Sequence, residues 1–448
     1  MKQWASIFLA FLTMVLLVAC DGTTAEGTLS SAAPETEEIP KTDNMSTYEP
    51  TEENGSQGLA YESNDTKDGY IVIGIGSCTD TEVVIPTVHN GLPVVGIRYS
   101  MIEHGIEYGA FYGTDVSAVI LSDNITEIDI GAFAYCSNLI SVTIPDSVTV
   151  IGDRAFSDCS GLTDITIPGS VTEIGQGAFA SCSGLTKVTI SYGVIRIGAS
   201  AFFDCDHLTD IQISDSVTTL GTGVFDDCSS LESITIPHSV TNIEGNPFMR
   251  CDALTSIVVA EENPMYFSRG NCLISKYGFV IAGCKSSVIP DDGSVFGIAD
   301  RAFAECNMLE QLTIPASVEN IHSFAFYRCN KLTSISVSDG NVKYHSAGNC
   351  LIETTSKTLI LGCESSVIPT DGSVTSISYR AFAGCRELTS IIIPVSVTRI
   401  GDGAFVDCDG LTKIYYTGTE ETWQNIEIGS SNPAFFKSSI RVCNYTAE

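Results

Sequence analysis

A 23-residue period is the feature that most constrains this 448-residue chain. Six consecutive segments repeat it, and about ten positions match in each segment. The segments begin at Val116, Leu139, Leu162, Leu185, Leu208 and Leu231, and the frame returns at Leu254, Leu309, Leu332, Leu388 and Leu411. Because one such unit cannot bury its own apolar face, the repetition predicts a solenoid in which each coil covers the next.

Two intervals in this series are longer because each contains an extra unit of a second type. The first interval runs 55 residues from Leu254 to Leu309, and the second, which starts at Leu332, runs 56 residues. The extra units, at about 262–296 and 341–375, resemble each other, and the whole block recurs after 78 or 79 residues. We therefore interpret this region as a duplication above the level of the single repeat.

Each unit predicts two short strands and one turn of helix. In the unit 162–184, Ile165 and Ile167 alternate with polar residues, which is typical of a strand with one buried face. A second short extended run ends at Ile174, and Phe179 with the cysteine three residues later suits a single helical turn. Stacking predicts internal ladders of Phe156, Phe179 and Phe202 and of Cys159, Cys182 and Cys205.

The consensus L-x-x-I-x-I-P-x-S-V-x-x-I-G-x-x-A-F-x-x-C resembles the leucine-rich repeat of the BspA-like (Treponema pallidum) class, over residues 116–415. The resemblance implies a leucine-rich repeat solenoid of the α/β class, with mostly short parallel strands and helical turns. It also implies a right-handed curve and a bacterial surface protein whose usual role is binding or adhesion. The flanks resemble the family's caps, an N-terminal cap at 67–115 and a C-terminal cap at 416–448, in which Trp423 lies on a short helix opened by Thr419.

The N-terminus predicts export and lipid anchoring. Residues 1–19 combine Lys2 with an apolar run, as a secretory signal peptide does, and the run ends in Leu-Val-Ala before Cys20. This ending resembles the bacterial lipobox, which implies that Cys20 is diacylated and becomes the mature N-terminus. The alternative is an uncleaved transmembrane helix in which Cys20 is incidental, although the run falls short of the ~20 residues that a span needs.

An acidic tether is predicted at 20–66. Residues 21–66 contain 11 acidic residues, one Lys and few large aliphatic side chains, so we expect no core there. The whole chain has 22 Lys+Arg against 54 Asp+Glu, a formal net charge of −32. This charge excludes the basic surface that nucleic-acid binding requires.

Cysteines are abundant, with 17 in the chain. Ten share one position of the repeat and are predicted to be buried free thiols: Cys136, Cys159, Cys182, Cys205, Cys228, Cys251, Cys306, Cys329, Cys385 and Cys408. The pairs Cys272/Cys284 and Cys350/Cys363 in the extra units could each flank a hairpin, so a bridge within each pair stays open. No C-x-x-C occurs, and we expect no zinc site.

Catalytic motifs are absent from the sequence. The six histidines have no recurring partner, and no nucleophile elbow, zinc-protease, P-loop or dinucleotide-binding pattern occurs. Acidic stretches such as Asp226-Asp227 and Asp291-Asp292-Gly293 lack the calcium-loop spacing and are predicted to be solvated turns. We therefore expect no enzyme activity, no cofactor and no bound metal.

The outward side of the strands is the remaining candidate site. Ser and Thr dominate it between Ser141 and Val258, a stretch that we expect to be flat and uninterrupted. Four residues depart from this pattern and are the predicted partner-binding residues: Asp164, Lys187, Asp210 and Gln212. The alternative is a solvated threonine ladder without a ligand, on which these four have drifted neutrally.

Three functions are compatible with these features. The first is a lipid-anchored, extracytoplasmic scaffold for protein binding or adhesion, whose partner is a host matrix protein or a bacterial surface protein. The second is a surface lipoprotein that captures a solute or glycan without catalysis, which requires a pocket with convergent polar groups and aromatic side chains. An enzyme is the least favoured of the three.

Overall fold

The computed structural model describes residues 51, 54–98, 109–322, 324–436 and 440–446. The predicted signal peptide, Cys20 and most of the predicted tether lie outside the described residues. Residues from Glu49 to Glu448 belong to one compact unit. Within the described part of the chain, no helix is both long enough and apolar enough to cross a membrane.

One side of the solenoid, which we call the wide face, consists of short parallel strands, mostly of three or four residues. These strands are Glu82–Val84, Ala118–Ile120, Ser141–Thr143, Asp164–Ile167, Lys187–Ile190, Asp210–Ile213, Ser233–Ile236, Ser256–Val259, Gln311–Ile314, Ser334–Val337, Ser390–Ile393, Lys413–Tyr416 and Arg441–Val442. Each strand lies one coil further along the solenoid than the one before it, except between Val259 and Gln311 and between Val337 and Ser390, where an extra unit intervenes.

The second side, the narrow face, consists of parallel strands of two residues. They are Glu127–Ile128, Val150–Ile151, Glu173–Ile174, Arg196–Ile197, Thr219–Leu220, Asn242–Ile243, Gly297–Ile298, Asn320–Ile321, Ser376–Ile377, Arg399–Ile400 and Glu427–Ile428. The core lies between the two faces. In the unit 162–184, Ile165, Ile167 and Ile174 are buried while Asp164 and Thr166 are exposed, which confirms the predicted alternation.

The segment predicted as a helical turn is not helical. We call residues 175–182, and the equivalent residues of other coils, the turn arc. In this arc the backbone N–H of Phe179 donates to the carbonyl of Ala201 in the next coil at 2.8 Å. Gly177 and Ser181 make the same bond to residues 22 positions later, at 2.9 and 2.7 Å. The residues between them donate to carbonyls three positions earlier in their own coil.

Left-handed backbone conformations create this alternation. Gly177 and Ser181 have φ angles of 60° and 57°. A helix would direct every N–H along its own axis, whereas left-handed residues at two points of the arc turn every second N–H toward the neighbouring coil. The spacing of the apolar residues is compatible with both conformations, so the sequence pattern did not distinguish them.

The predicted phenylalanine ladder is present. Seven rings from Phe111 to Phe248 stack one per coil, with neighbouring centroids 5.0 to 6.0 Å apart and ring planes within 11° of parallel. The ladder resumes with Phe303 and Phe326 at 5.4 Å and again with Phe382 and Phe405 at 4.8 Å. The rings fill the interior beneath the turn arcs and make neighbouring coils depend on each other.

The cysteine ladder has a hydrogen-bonding role. The Sγ of Cys182 donates to the carbonyl of Phe156 in the preceding coil at 3.1 Å, and the same bond recurs at Cys159, Cys205 and Cys228. Every cysteine in the described residues is a free thiol, including those of the extra units. Burial raises the pKa of Cys182 to about 12, so its sulfur stays protonated and unreactive at neutral pH.

Three of the ten ladder cysteines depart from the predicted burial. Cys306, Cys329 and Cys408 are half-buried, whereas the other seven are buried. Cys306 and Cys329 lie in the coils between the two extra units, and Cys408 lies one coil from the C-terminal cap, where fewer regular coils cover the turn arc. Burial still raises the pKa of Cys306 and of Cys408 to about 12.

The two extra units are antiparallel three-stranded inserts. Their strands are Tyr266–Arg269, Cys272–Ser275 and Phe279–Ala282 in the first insert, and Tyr344–Ala347, Cys350–Glu353 and Thr358–Leu361 in the second. Asn263 and Asn341 begin them in the same way, because each side-chain amide donates to two carbonyls of the preceding coils and each side-chain oxygen accepts two backbone N–H groups. The shared contacts agree with the predicted duplication.

A glycine takes the place of phenylalanine in each insert. The N–H of Gly362 donates to the carbonyl of Ala381 at 2.9 Å, the bond that a ladder Phe makes elsewhere. A Cβ on Gly362 would lie 2.0 Å from the ring of Phe382, and Gly283 has the same relation to Phe303. The insert therefore has almost no turn arc, and the next Phe ring covers its backbone directly.

The N-terminal cap begins earlier than predicted. Strand Ala60–Ser63, inside the predicted tether, pairs antiparallel with Tyr70–Gly74, and Val88–His89 with Leu92–Ile97 completes this cap. Leu59 is only 7% exposed, and Tyr61 stacks on His89 with centroids 3.8 Å apart. The acidic composition of 20–66 concealed these few core residues at its end.

The C-terminal cap closes the phenylalanine ladder. Thr419 caps the α-helix Glu420–Trp423 by accepting a hydrogen bond from the N–H of Thr422, which confirms the predicted start of this helix. Buried Trp423 stacks on Phe435, which lies in the 3₁₀ helix Pro433–Phe436. Phe435 in turn packs on Phe405 at 4.6 Å, so the last ladder ring is covered by the cap.

Replacing Phe179 with Ala should destabilise the coils around it by about 3 to 5 kcal/mol, because it removes a fully buried ring between two stacked neighbours. Thermal unfolding followed by circular dichroism measures the effect, which we expect as a lower or multistate transition. Phe436→Ala is the matched control, since that ring is 64% exposed. A Phe179→Ala variant that melts like the parent would contradict the ladder.

Native protein should react slowly with iodoacetamide at the ladder cysteines, because burial keeps these thiols protonated. Denaturation without reductant should add about ten reactive thiols from the ladder, together with the four buried cysteines of the two inserts. Mass spectrometry of labelled peptides measures both states, and partly exposed Cys78 and Cys443 serve as internal positive controls. Ladder cysteines already oxidised in the native protein would refute this prediction.

Candidate protein-binding face

The four predicted binding residues lie together on the wide face. Asp164, Lys187 and Asp210 occupy the same register position on three adjacent parallel strands, so their side chains form one row across the coils. Gln212 lies two residues beyond Asp210 on the same side of its strand, in register with Thr189. We call Asp164, Lys187, Asp210 and Gln212 the charged patch.

Lys187 is the electrostatic centre of the charged patch. Its Nζ lies 3.7 Å from the carboxylate of Asp210, and the two side chains are 43% and 49% exposed. An exposed pair of this kind contributes at most about 1 kcal/mol to stability, so a charged group of a partner could replace Lys187 or Asp210 in the pair at low cost. The geometry brings the four residues together, and their role in binding stays a prediction.

The sequence predicts a flat and uninterrupted array between Ser141 and Val258, but the hydrogen bonding between its strands is interrupted. The backbone hydrogen bonds of the wide face divide it into separate sheets of two or three strands. The charged patch lies on one of these sheets, made of Asp164–Ile167, Lys187–Ile190 and Asp210–Ile213. Strands Ser141–Thr143 and Ser233–Ile236 still lie beside this sheet, so the surface continues on both sides although the backbone hydrogen bonding is interrupted.

Some of the repeated threonines have a structural role. The hydroxyl of Thr186 donates to the carbonyl of Thr163 at 3.0 Å, and that of Thr209 donates to the carbonyl of Thr186 at 3.3 Å. Thr149 and Thr218 make corresponding bonds beside the narrow face. These hydroxyls bridge successive coils, which explains why threonine recurs before the strands without any ligand being needed.

The described histidines do not form a catalytic group. His89 stacks on Tyr61, His207 lies 2.6 Å from the carbonyl of Ser183, and exposed His238 lies 3.2 Å from Asp215. His345 Nδ1 lies 2.9 Å from the Thr354 hydroxyl in an exposed position, with no third hydrogen-bonded group among the described residues. Nor does this part of the chain contain a cluster of three or more His, Cys, Asp or Glu side chains that could hold a metal ion.

Asp226 is a buried carboxylate that the prediction of a solvated turn missed. Its side chain is 6% exposed and accepts a hydrogen bond from the N–H of Met249 at 2.8 Å. Burial raises its pKa to about 7, and the neighbouring Asp227 acts in the same direction. In other coils this position of the turn arc is Ala, Ser, Phe, Met, Tyr or Val, so only a comparison of repeats at this position could have indicated its burial.

A cavity lies beside the second insert, on the side of the turn arcs. This cavity, of about 150 Å³, is lined by Phe324, Tyr327, Tyr379, Arg380 and His322, among others. We call it the aromatic notch. Phe324 and Tyr379 lie in different coils separated by the insert, so sequence reasoning did not bring them together. Their departure from the repeat consensus was the only signal.

The comparisons with known proteins agree with this architecture. The family model described as a BspA type leucine rich repeat region of six copies matches four times, over residues 104–205, 150–268, 273–350 and 361–440. A search of curated proteins gives no match.

Several solved bacterial structures are similar. The crystal structure of a leucine rich cell surface protein from Faecalibacterium prausnitzii is 28% identical and covers 83% of this chain and 96% of its own, with a TM-score of 0.60. The T. pallidum leucine rich repeat protein is 28% identical and covers 41% of this chain and 91% of its own, with a TM-score of 0.33. The pneumococcal vaccine antigen PcpA is 19% identical, covers 88% of this chain and 87% of its own, and has a TM-score of 0.47.

The family model covers well over half of the chain, and the matched residues are those that form the coils, the phenylalanine ladder and the cysteine ladder. The 23-residue unit, its two-faced coil and its family match point to the same conclusion. This chain belongs to the family of BspA type leucine-rich repeat proteins.

Proposed function

We propose that this protein is a bacterial cell-surface lipoprotein whose solenoid is a scaffold for binding a protein partner in adhesion. Membership of the BspA type family supports a surface scaffold. The similar Faecalibacterium prausnitzii structure is described as a cell surface protein, which supports the same location for this chain. The partner is a host matrix protein or another bacterial surface protein.

The charged patch is the observation that carries this proposal. Asp164, Lys187 and Asp210 form a row on a face that otherwise consists mostly of Ser and Thr. Gln212 lies on the same three-stranded sheet as this row. The protein has a net charge of −32, so its surface favours a partner with basic side chains opposite Asp164 and Asp210. Lys187 between them would then select against partners that are uniformly basic.

Lipidation of Cys20 would anchor this scaffold to the cell membrane. The acidic segment that follows Cys20 in the sequence would then separate the solenoid from the membrane. Because a single acyl chain binds a membrane only marginally, the diacylated cysteine implied by the lipobox suits a stable anchor.

Capture of a solute or glycan is a second candidate function, and one observation favours it. The aromatic notch combines ring faces with the guanidinium of Arg380 in a small cavity, which is the composition that such a site needs. The two candidate functions use different sides of the solenoid, so variants of one leave the other intact.

Replacing Cys20 with Ser should move the protein from the membrane fraction into the medium, because serine cannot accept the thioether-linked lipid. Fractionation and metabolic labelling with palmitate measure the change, and the unchanged chain is the positive control. A Cys20→Ser variant that stays membrane-bound with undiminished label would refute the anchor.

A quadruple variant with Ala at Asp164, Lys187, Asp210 and Gln212 should lose most binding to the partner, once a host matrix protein, mucin or bacterial surface protein is found to bind the full chain. The double variant Glu173→Ala/Arg196→Ala is the matched control, since it removes an exposed ion pair from the narrow face of the same coils. Lys187→Glu alone should change the association rate and its salt dependence more than the dissociation rate. Undiminished binding by a correctly folded quadruple variant would rule out the charged patch.

A further inference from the structure

The aromatic notch exists because the second insert lacks a turn arc. Phe324 and Tyr327 belong to the arc before the insert, and Tyr379 and Arg380 belong to the arc after it. Between these arcs the insert contributes only a short backbone segment around Gly362, where the ring of Phe382 already takes the space of a side chain. The gap is therefore part of the fold and does not depend on a mobile loop.

Arg380 is held among aromatic rings and has no acidic partner. Its guanidinium lies 4.8 Å from the ring centroid of Tyr327, 5.2 Å from that of Tyr379 and 5.5 Å from that of Phe324. Phe324 is also edge-to-face with both tyrosines, so the four side chains fix each other. Among the described residues, no carboxylate lies within 4 Å of the Arg380 guanidinium, in a chain with 54 acidic residues and only 22 basic ones.

The neighbouring arginines each have a carboxylate partner. Arg328 pairs with Glu305 at 3.7 Å and also contacts the Asp407 carboxylate. Arg301, on the far side of Phe324, lies 3.9 Å from Asp300. Arg380 is thus the arginine of this cluster that has no ion pair among the described residues.

The first insert provides an internal comparison, because the duplication places equivalent residues beside it. Asn246, Met249 and Asp300 occupy the positions of Phe324, Tyr327 and Tyr379. The amide of Asn246 donates to the carbonyl of Arg301 at 2.9 Å and so ties the two flanking arcs together. The equivalent of Arg380 there is Arg301, which has Asp300 beside it. The first notch is bridged and neutral, whereas the second is aromatic and positively charged.

We propose that the aromatic notch binds one carboxylated sugar residue, such as a uronic or sialic acid. The carboxylate would pair with Arg380 in a charge-assisted bond, and the C–H face of the sugar ring would pack on the tyrosines. His322, Tyr327 and Tyr379 line the same cavity, and each carries a polar group that suits sugar hydroxyls. The cavity, at about 150 Å³, is smaller than the roughly 300 Å³ of a drug-sized pocket, so it suits a single ring.

An acidic peptide is the less favoured ligand. A carboxylate side chain would satisfy Arg380 but would leave three aromatic rings without an apolar surface to cover. The net charge of −32 also disfavours a ligand with many charges, whereas a single carboxylate meets a local field that salt screens beyond about 8 Å. The inference rests on capture, the second candidate function, and is independent of the scaffold and of the charged patch.

Titration calorimetry of the purified full chain with glucuronic acid and with N-acetylneuraminic acid tests the proposal, with glucose as the neutral comparison. We expect a dissociation constant of about 1 mM or lower for one of the acidic sugars and at least about tenfold weaker binding of glucose. Saturation-transfer NMR should place the contact on the ring C–H groups of the sugar.

Arg380→Gln should weaken binding of the acidic sugar by about tenfold or more, because it removes the charge-assisted bond. Arg154→Gln is the matched control, since Arg154 occupies the same position of a regular turn arc with the same φ of 54° but no notch. Tyr379→Asp supplies a second variant that installs the residue of the first notch beside Arg380. It should also abolish binding, and its melting curve shows whether the fold is intact.

Three results would overturn the proposal. The first is an absence of saturable binding of either acidic sugar up to about ten times the expected constant. The second is binding that survives both Arg380→Gln and Tyr379→Asp in folded protein. The third is binding of a short aspartate-containing peptide that competes at Arg380 while neither sugar binds, which would assign the notch to peptides. Loss of sugar binding with an intact charged patch would leave the scaffold proposal untouched.

Discussion

The hydrogen bond between one turn arc and the next is the interaction on which the rest of this solenoid depends. The N–H of Phe179 points at the carbonyl of Ala201, so each arc is bonded to its neighbour as closely as the strands of the two faces are. This third line of hydrogen bonds fixes the spacing of the coils on the side without strands. The stacked phenylalanine rings, 5.0 to 6.0 Å apart, match this spacing, which is close to the ~4.8 Å between strands.

The cysteines complete the same system. A turn arc directs alternate carbonyls as well as alternate N–H groups out of its own coil, and the carbonyl of Phe156 is buried beneath the arc. The thiol of Cys182 donates to it across the coil boundary, at a position where a hydroxyl would be more costly to bury and alanine would leave the carbonyl with one partner fewer. One cysteine per coil is thus a packing and hydrogen-bonding residue, even though a chain with 17 cysteines suggests disulfides at first sight.

Much of this fold could be predicted from the sequence, because the 23-residue period repeats the same buried positions in successive coils. The strands and both ladders followed from the residues themselves, and the Thr419 cap followed from the resemblance to the family's C-terminal cap. The conformation of the turn arc could not be predicted, since the spacing of Ala178, Phe179 and Cys182 is also compatible with a helix. In addition, serine is not a residue type that indicates a left-handed φ, which Ser181 has. The aromatic notch could not be predicted either, because Phe324 and Tyr379 are 55 residues apart and meet only after the insert has lost its arc. The charged patch was found from the sequence because register alone aligns its members.

Hydrogen-bond scalar couplings between backbone nitrogen and carbonyl carbon test the inter-coil bond most directly. In a deuterated sample labelled with ¹⁵N and ¹³C, the nitrogen of Phe179 should correlate with the carbonyl carbon of Ala201, and the nitrogen of Phe156 with that of Ala178. A correlation from Phe179 to the carbonyl of Gly175, four residues earlier in its own coil, would mean that the arc is a helical turn and would contradict the account.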